Sequence, residues 1–223
     1  MAELIRGLRA RRLRANLDGV RGQVAAAAER VGRDPAGVEI CAATKYVAVD
    51  EMGVLADAGV ATVGENRAQD LEAKVAVYGE RFTWHFIGRL QSRKVRHILP
   101  HVRLIHSLSS ESALAQLERH REQARPGLEV LIEVDVAGEP GKAGVRPDEL
   151  EDFLARCPVP VTGLMTMPPL VGDPEQSRPH FGRLRALAAE HGLARLSMGT
   201  TQDYAVAVEE GATIIRIGSV LYA

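Results

Sequence analysis

Lys45 ends the apolar run Val38-Glu-Ile-Cys-Ala-Ala-Thr-Lys45, and reactive chemistry first suggests itself there. The run is short and follows Asp34-Pro35-Ala-Gly37, so it reads as a buried strand. Desolvating an ammonium costs several kcal/mol unless it is neutralised or paired. A lysine at a strand tip is therefore either a snorkelling surface residue or an amine that attacks a carbonyl. In the second case, burial against Cys41 and Ala43 would help it lose its proton.

Two small-residue loops near the far end of the chain favour the reactive reading. Each follows a strand-like run: Leu193-Ala-Arg-Leu-Ser197-Met-Gly199-Thr-Thr201, then Ala212-Thr-Ile-Ile-Arg216-Ile-Gly218-Ser219. Glycine lets backbone approach an anion closely, and neighbouring N–H groups with Ser or Thr hydroxyls can surround a phosphate. Ser197, Gly199 and Thr201 on one loop and Gly218 and Ser219 on the other are the phosphate candidates, with Thr200 an equally acceptable donor. Phosphate sites built from the last two strand–helix loops recur in (β/α)8 barrels. A carbonyl-capturing lysine on the first strand, with a phosphate cup on the last two, describes a pyridoxal 5′-phosphate site.

The elements that must position these groups alternate along the chain. After an opening helix to about Gly32, strands are expected near Glu39–Thr44, Ala61–Val63, Thr83–Ile87, Arg103–His106, Glu129–Asp135, Val161–Met165, Arg195–Ser197 and Thr213–Ile217. Helical stretches separate them: 49–58, 67–78, 111–123, 147–156, 175–191 and 203–210. This pattern predicts a closed parallel barrel. An open doubly wound sheet would carry a glycine fingerprint after its first strand, where this chain has Lys45-Tyr-Val-Ala. Leu13, Leu17, Val20, Val24 and Val31 recur at helical spacing, so Arg6, Arg9, Arg11, Arg12 and Arg14 coat an amphipathic helix rather than form a leader. Glycine-rich 137–144 and proline-rich 168–174 read as long loops at the barrel mouth.

Composition narrows the function classes. The 223 residues fit one large α/β domain, and 46% hydrophobic with only 4% aromatic content suits aliphatic barrel packing. Lys+Arg 28 against Asp+Glu 29 leaves a net charge of −1, which favours neither nucleic acid nor a membrane surface. Cys41 and Cys157 form no disulfide framework, so a reducing cytoplasm is the expected compartment. His97 and His101 stand four apart, but Pro100 interrupts any helix and no third ligand is evident, so no metal is expected.

The segments Ala43-Thr-Lys45, Gly64-Glu-Asn66, Trp84-His-Phe-Ile-Gly88-Arg-Leu-Gln-Ser-Arg-Lys94, Gly163-Leu-Met165-Thr-Met167, Leu196-Ser-Met-Gly199, Val208-Glu-Glu-Gly211 and Arg216-Ile-Gly-Ser219 resemble the YggS/PROSC-type pyridoxal phosphate homeostasis proteins, in that family's order and over essentially the whole chain. Three departures stand out. Arg89 replaces a usual proline, Ala143-Gly144-Val145 resembles a Ser-Gly-Ile turn, and the sequence stops at Ala223 where the family continues into a short Gly/Arg tail. The resemblance implies a (β/α)8 barrel of the alanine-racemase N-terminal type over 1–223, with 1–32 as an extra helix packed on it. Lys45 would hold the cofactor as an aldimine. Arg216 would face the pyridine nitrogen and leave it unprotonated, since a guanidinium does not give up its proton. Asn66 could donate to the phenolic oxygen or cap the next helix. His85 and Met165, placed on barrel strands by family position, would pack near the ring or fill a core layer.

The expected protein is thus a cytoplasmic monomer in vitamin B6 homeostasis, with pyridoxal phosphate as ligand and pyridoxal-phosphate-dependent enzymes as clients, and without robust turnover. The alternative is an amino-acid racemase, which requires acid/base groups on opposite faces of the substrate carbon. In alanine racemases a tyrosine from an additional β-domain supplies the second group. No such domain is expected after Gly218, and Tyr46, Tyr78, Tyr204 and Tyr222 lie in no recognisable opposing motif. A third class, an interaction module using the arginine-rich N-terminus, would show salt-dependent affinity and no chromophore.

Overall fold

The computed structural model describes residues 4–139 and 141–223. Eight parallel strands close into a barrel in chain order. They are β1 (Glu39–Ala43), β2 (Thr62–Glu65), β3 (Thr83–Phe86), β4 (Leu104–Leu108), β5 (Glu129–Glu133), β6 (Val161–Met165), β7 (Arg195–Thr200) and β8 (Ile214–Ile217). Closure comes from β8 lying against β1, in register from Glu39 opposite Ile214 to Ala42 opposite Ile217. Strands covered on both faces must be apolar throughout, and β4 and β8 are buried at every position.

Helices follow the strands as the alternation predicts: α1 (Ala10–Arg30) before the barrel, then α2 (Met52–Asp57), α3 (Ala68–Tyr78), α4 (Val95–Ile98), α5 (Glu111–His120), α6 (Leu150–Ala155), α7 (Arg178–Glu190), α8 (Tyr204–Glu209) and α9 (Ser219–Tyr222). Several begin later than the sequence suggests, because 3-10 turns at Val49–Glu51, Pro147–Glu149 and Pro174–Ser177 precede them. No helix among the described residues is long and apolar enough to cross a membrane.

Helix α1 buries Leu13, Leu17, Val20 and Val24 as its periodicity requires. Val31 is the exception, at 44% exposed. The helix stops at Arg30, and Gly32 turns the chain with φ +66°, so Ala27 and Ala28 complete the apolar stripe instead. Arg14 dresses the outer face of α1 and donates to the Asp57 carbonyl, whereas Arg6 lies ahead of the helix and pairs with Asp50 at 2.6 Å. Ahead of α1, Ile5 bridges Val47, its N–H donates to the Tyr46 carbonyl at 2.7 Å, and the Glu51 carboxylate accepts from the Gly7 and Leu8 N–H groups. This strap fixes the chain just beyond Lys45.

The barrel interior is part apolar and part polar. Cys41, Leu104, Leu131, Met165 and Ile214 form a packed layer. At the N-terminal end, Arg195 bonds Glu129 at 2.7 Å and Glu39 at 3.0 Å, with Thr62 donating to Glu39 at 2.8 Å. The charges there are shared among fixed partners, so no isolated ion stands at the barrel floor.

Candidate functional site

A cavity of about 560 Å³ opens at the C-terminal mouth of the barrel, within the usual size of a small-molecule site. Lys45, two residues past β1, lines it together with Ala43. Asn66 comes from the end of β2, Arg216 from β8, and Thr200 and Thr201 from the end of β7. Gly218, Ser219 and Tyr222 complete the wall on that side. Lys45, Asn66, Thr201, Arg216, Gly218 and Ser219 thus converge on one space.

Lys45 differs from expectation in its surroundings. It lies in a turn and is exposed, its Nζ 5.0 Å from the Tyr46 ring centroid, whereas Cys41 sits deeper in the closed interior. Burial therefore acts on Cys41, pushing its thiol up. The turn is held from behind. Thr44 donates to Glu65 Oε1, and Lys74 donates to the same oxygen at 2.5 Å and to the Thr44 carbonyl at 2.7 Å. Lys45 and Asn66 each directly follow a member of this buried cluster.

Asn66 does not cap α3, whose N-cap is Arg67 with no side-chain bond. Its Oδ1 is instead buried without a partner, a polar group placed in a cavity wall with nothing to satisfy it. Gly88 makes that placement possible, since a Cβ there would fall 2.3 Å from the Asn66 carbonyl oxygen. The two small-residue loops meet where Gly218 N–H donates to Thr201 Oγ1 at 3.2 Å. Asp203 braces the first of them, accepting from the Thr200 N–H at 2.7 Å.

Four expected contact residues lie outside this wall. Gly199 sits inside a bulge between β7 and β8, where Ser197 pairs Ile214 but Thr200 pairs Arg216. It takes φ +88°, and a Cβ would come 2.5 Å from that of Ala207. Met165 belongs to the packed interior layer. Ser197 lies beneath Arg216, accepting from its Nη1 at 2.5 Å through Oγ and at 2.9 Å through the carbonyl. His85 is deeper still, its Nδ1 3.1 Å from His106 Nε2.

Arg216 is almost fully enclosed. Burial lowers its pKa, offset by Cys41, Glu133 and Asp203. Its Nη2 donates to the Thr166 carbonyl at 3.0 Å and contacts Met167 Sδ at 2.8 Å. Sequence reasoning missed His106, Thr44, Glu65 and Lys74, none of which touches the cavity. Among the described residues no cluster of three or more ligating side chains occurs, and His97 meets Glu72 at 2.9 Å.

An amine, a side-chain amide able to donate through Nδ2, a buried guanidinium and a hydroxyl-lined cup around one cavity match the functional groups of pyridoxal phosphate: an aldehyde, a phenolic oxygen, a ring nitrogen and a phosphate. Comparison with known proteins points the same way. Residues 15–223 match the family described as alanine racemase, N-terminal domain. A pyridoxal phosphate homeostasis protein of Aquifex aeolicus is 40% identical over 207 residues, covering 88% of this chain and 91% of the relative. The structure of PipY of Synechococcus elongatus with pyridoxal phosphate bound superposes with a TM-score of 0.79 at 30% identity, covering 95% of this chain and all of that one (100%). An alanine racemase of Clostridium difficile shares the fold at a TM-score of 0.68, with 13% identity over 94% of this chain and 56% of its own. With a family match over nearly its whole length and a homeostasis protein at 40% identity, the chain belongs to the pyridoxal phosphate homeostasis protein family.

Proposed function

We propose that this protein binds pyridoxal 5′-phosphate in the mouth cavity, held by a covalent bond from Lys45 Nζ, and serves vitamin B6 homeostasis in the cytoplasm without robust turnover. The observation that carries this reading is the convergence of Lys45, Asn66, Arg216 and the Thr201–Gly218 cup on one 560 Å³ space. Bound there, the cofactor would supply an electrophilic aldehyde carbon and a ring able to accept electron density. Lys45 would provide the nucleophile and Asn66 a hydrogen bond to the phenolic oxygen. Thr201, Gly218 and Ser219 would hold the phosphate. Arg216 would face the ring nitrogen as a donor, keeping it unprotonated and the ring a weaker electron sink. That arrangement suits holding the cofactor better than carbanion chemistry. One barrel domain over 1–223, acting as a monomer that passes cofactor to client enzymes, completes the proposal.

A racemase reading draws on the shared fold and on Tyr46 and Tyr222, both in the cavity wall. Neither opposes Lys45. Tyr46 is its neighbour, with the ring against its ammonium, and the Tyr222 hydroxyl donates to the Ala43 carbonyl at 3.1 Å on the same side. Burial also pushes the Tyr222 phenol up, away from a useful base. Exchange of the alanine Cα proton at about 1 per second or faster, abolished in Lys45→Ala, would establish the racemase instead.

The deciding experiment is a visible spectrum of the purified protein before and after borohydride, with mass mapping of the reduced adduct. The expected result is a yellow band lost on reduction and a modified Lys45. An adduct on Lys94 or Lys142 would overturn the assignment.

A further inference from the structure

A line of polar side chains runs down the barrel axis from the cavity to the floor. Arg216 Nη1 donates to Ser197 Oγ, which lies 2.8 Å from His106 Nδ1. His106 Nε2 is 3.1 Å from His85 Nδ1, and His85 Nε2 stands 3.7 Å from Glu39 Oε1. Ser197, His106 and His85 are essentially inaccessible to solvent. Buried polar groups in such number are retained only where each proton has an acceptor.

The two ends fix the direction of the line. Arg216 has only donors and an ionised Glu39 only acceptors. Each neutral imidazole has one of each. A single arrangement satisfies every link: Ser197 O–H donates to His106 Nδ1, His106 Nε2–H donates to His85 Nδ1, and His85 Nε2–H faces Glu39. The reverse arrangement would set a bare nitrogen of His85 against the Glu39 carboxylate and leave the Ser197 proton without an acceptor. Burial, with Arg216 and Arg195 close by, keeps both rings neutral.

The upper end of the line determines what Arg216 offers to a ligand. Nη1 is committed to Ser197 Oγ and the Ser197 carbonyl, and Nη2 to the Thr166 carbonyl and Met167 Sδ. The Nε–H is the donor those contacts leave over, and Arg216 lines the cavity. We propose that His106 and His85 are positioning residues for the cofactor site, acting through Ser197 to lock the Arg216 guanidinium so that Nε–H is the group presented to a ring-nitrogen acceptor. The proposal rests on pyridoxal phosphate being the ligand.

Two measurements test it. In the wild-type protein without cofactor, 15N-histidine NMR should show His85 and His106 neutral and protonated at Nε2. A proton on Nδ1 of His106 would overturn the direction of the line and with it the proposal. With cofactor added, His106→Leu and Ser197→Ala should weaken pyridoxal phosphate binding about tenfold, equivalent to 1.4 kcal/mol, and shift the visible band. His106→Asn, whose amide can accept from Ser197, should restore both. Loss of thermal stability with an unmoved band and unchanged affinity would reduce the two histidines to structural residues and overturn the positioning role. A wild-type protein that binds no pyridoxal phosphate overturns the parent reading, whereas one that binds it identically with and without His106 overturns only this inference.

Discussion

Glu65 and Lys74 are ion-paired with almost no exposure, and neither faces the ligand cavity. Their oxygen and nitrogen close around Thr44, so the pair sets the backbone from which Lys45 projects. Glu65 Oε2 already lacks a partner, which makes the site intolerant of further loss. Lys74→Met should therefore destabilise the fold by about 3–5 kcal/mol, because it leaves a buried carboxylate unpaired. The double variant Lys74→Met/Glu65→Leu should recover much of that, and urea unfolding of the three proteins would decide. The two interior histidines give a pH signature of known sign. Their folded pKa values lie below the unfolded value near 6.5, so the stability they confer is complete above that pH. It declines as pH falls below 6.5, by up to about 1.4 kcal/mol per pH unit per histidine, until the folded values are reached. The Arg-paired carboxylates Glu111, Asp148, Glu175 and Glu209 are held low and titrate further down, while Glu133, raised by burial, opposes the trend at the acid end. Urea midpoints between pH 7.5 and 5 should fall in the wild type and fall less steeply in His106→Asn. Lys45 and Arg216 were legible in the sequence because a charge interrupting an apolar run demands an explanation. Lys74 and His106 were not, since each finds its partner only through tertiary pairing.

At the scale of elements, the turn out of β7 shapes the Thr201–Gly218 side of the cavity. A bulge adds a residue on β7, and Gly199 supplies the left-handed conformation that swings Thr200 and Thr201 toward the Gly218 loop. Gly199→Ala combines φ +88° with a 2.5 Å approach to the Ala207 Cβ, so it should cost about 1–3 kcal/mol from backbone strain alone. The same change should narrow the preference for pyridoxal phosphate over pyridoxal, because it displaces the hydroxyls proposed to hold the phosphate; titration of both ligands into wild type and variant checks this. A variant that kept the full preference would move the phosphate elsewhere. The alternation of strands and helices was readable, since a period of two and a period of 3.6 leave different marks. The extension of β7 to Thr200 was not, because Gly199-Thr-Thr looks like loop until its neighbour strand is known. Helices α4 and α9, four residues each, are too short to display a period at all.

The whole molecule is a ring whose seam lies between its first and last strands. Cys41 of β1 sits opposite Arg216 of β8, and the turn bearing Lys45 opens directly above that seam. Barrel topology is what brings the proposed amine and guanidinium together, and no local segment contains both. The strap at Ile5 and the C-terminal helix α9 press on the same corner: Asn16 of α1 donates to the Leu221 carbonyl at 3.0 Å, and Tyr222 bonds the β1 backbone. In a refolding experiment with pyridoxal phosphate present, the visible band should therefore grow in with the final kinetic phase; a band at full amplitude before native fluorescence returns would separate capture from closure. The seam also has a meaning during synthesis. A polypeptide still threading the ribosomal exit tunnel displays its lysine long before the arginine strand exists, so it can meet the free aldehyde but has no cup in which to retain it. On the proposed reading, retention of the vitamin marks a chain that has been zipped shut.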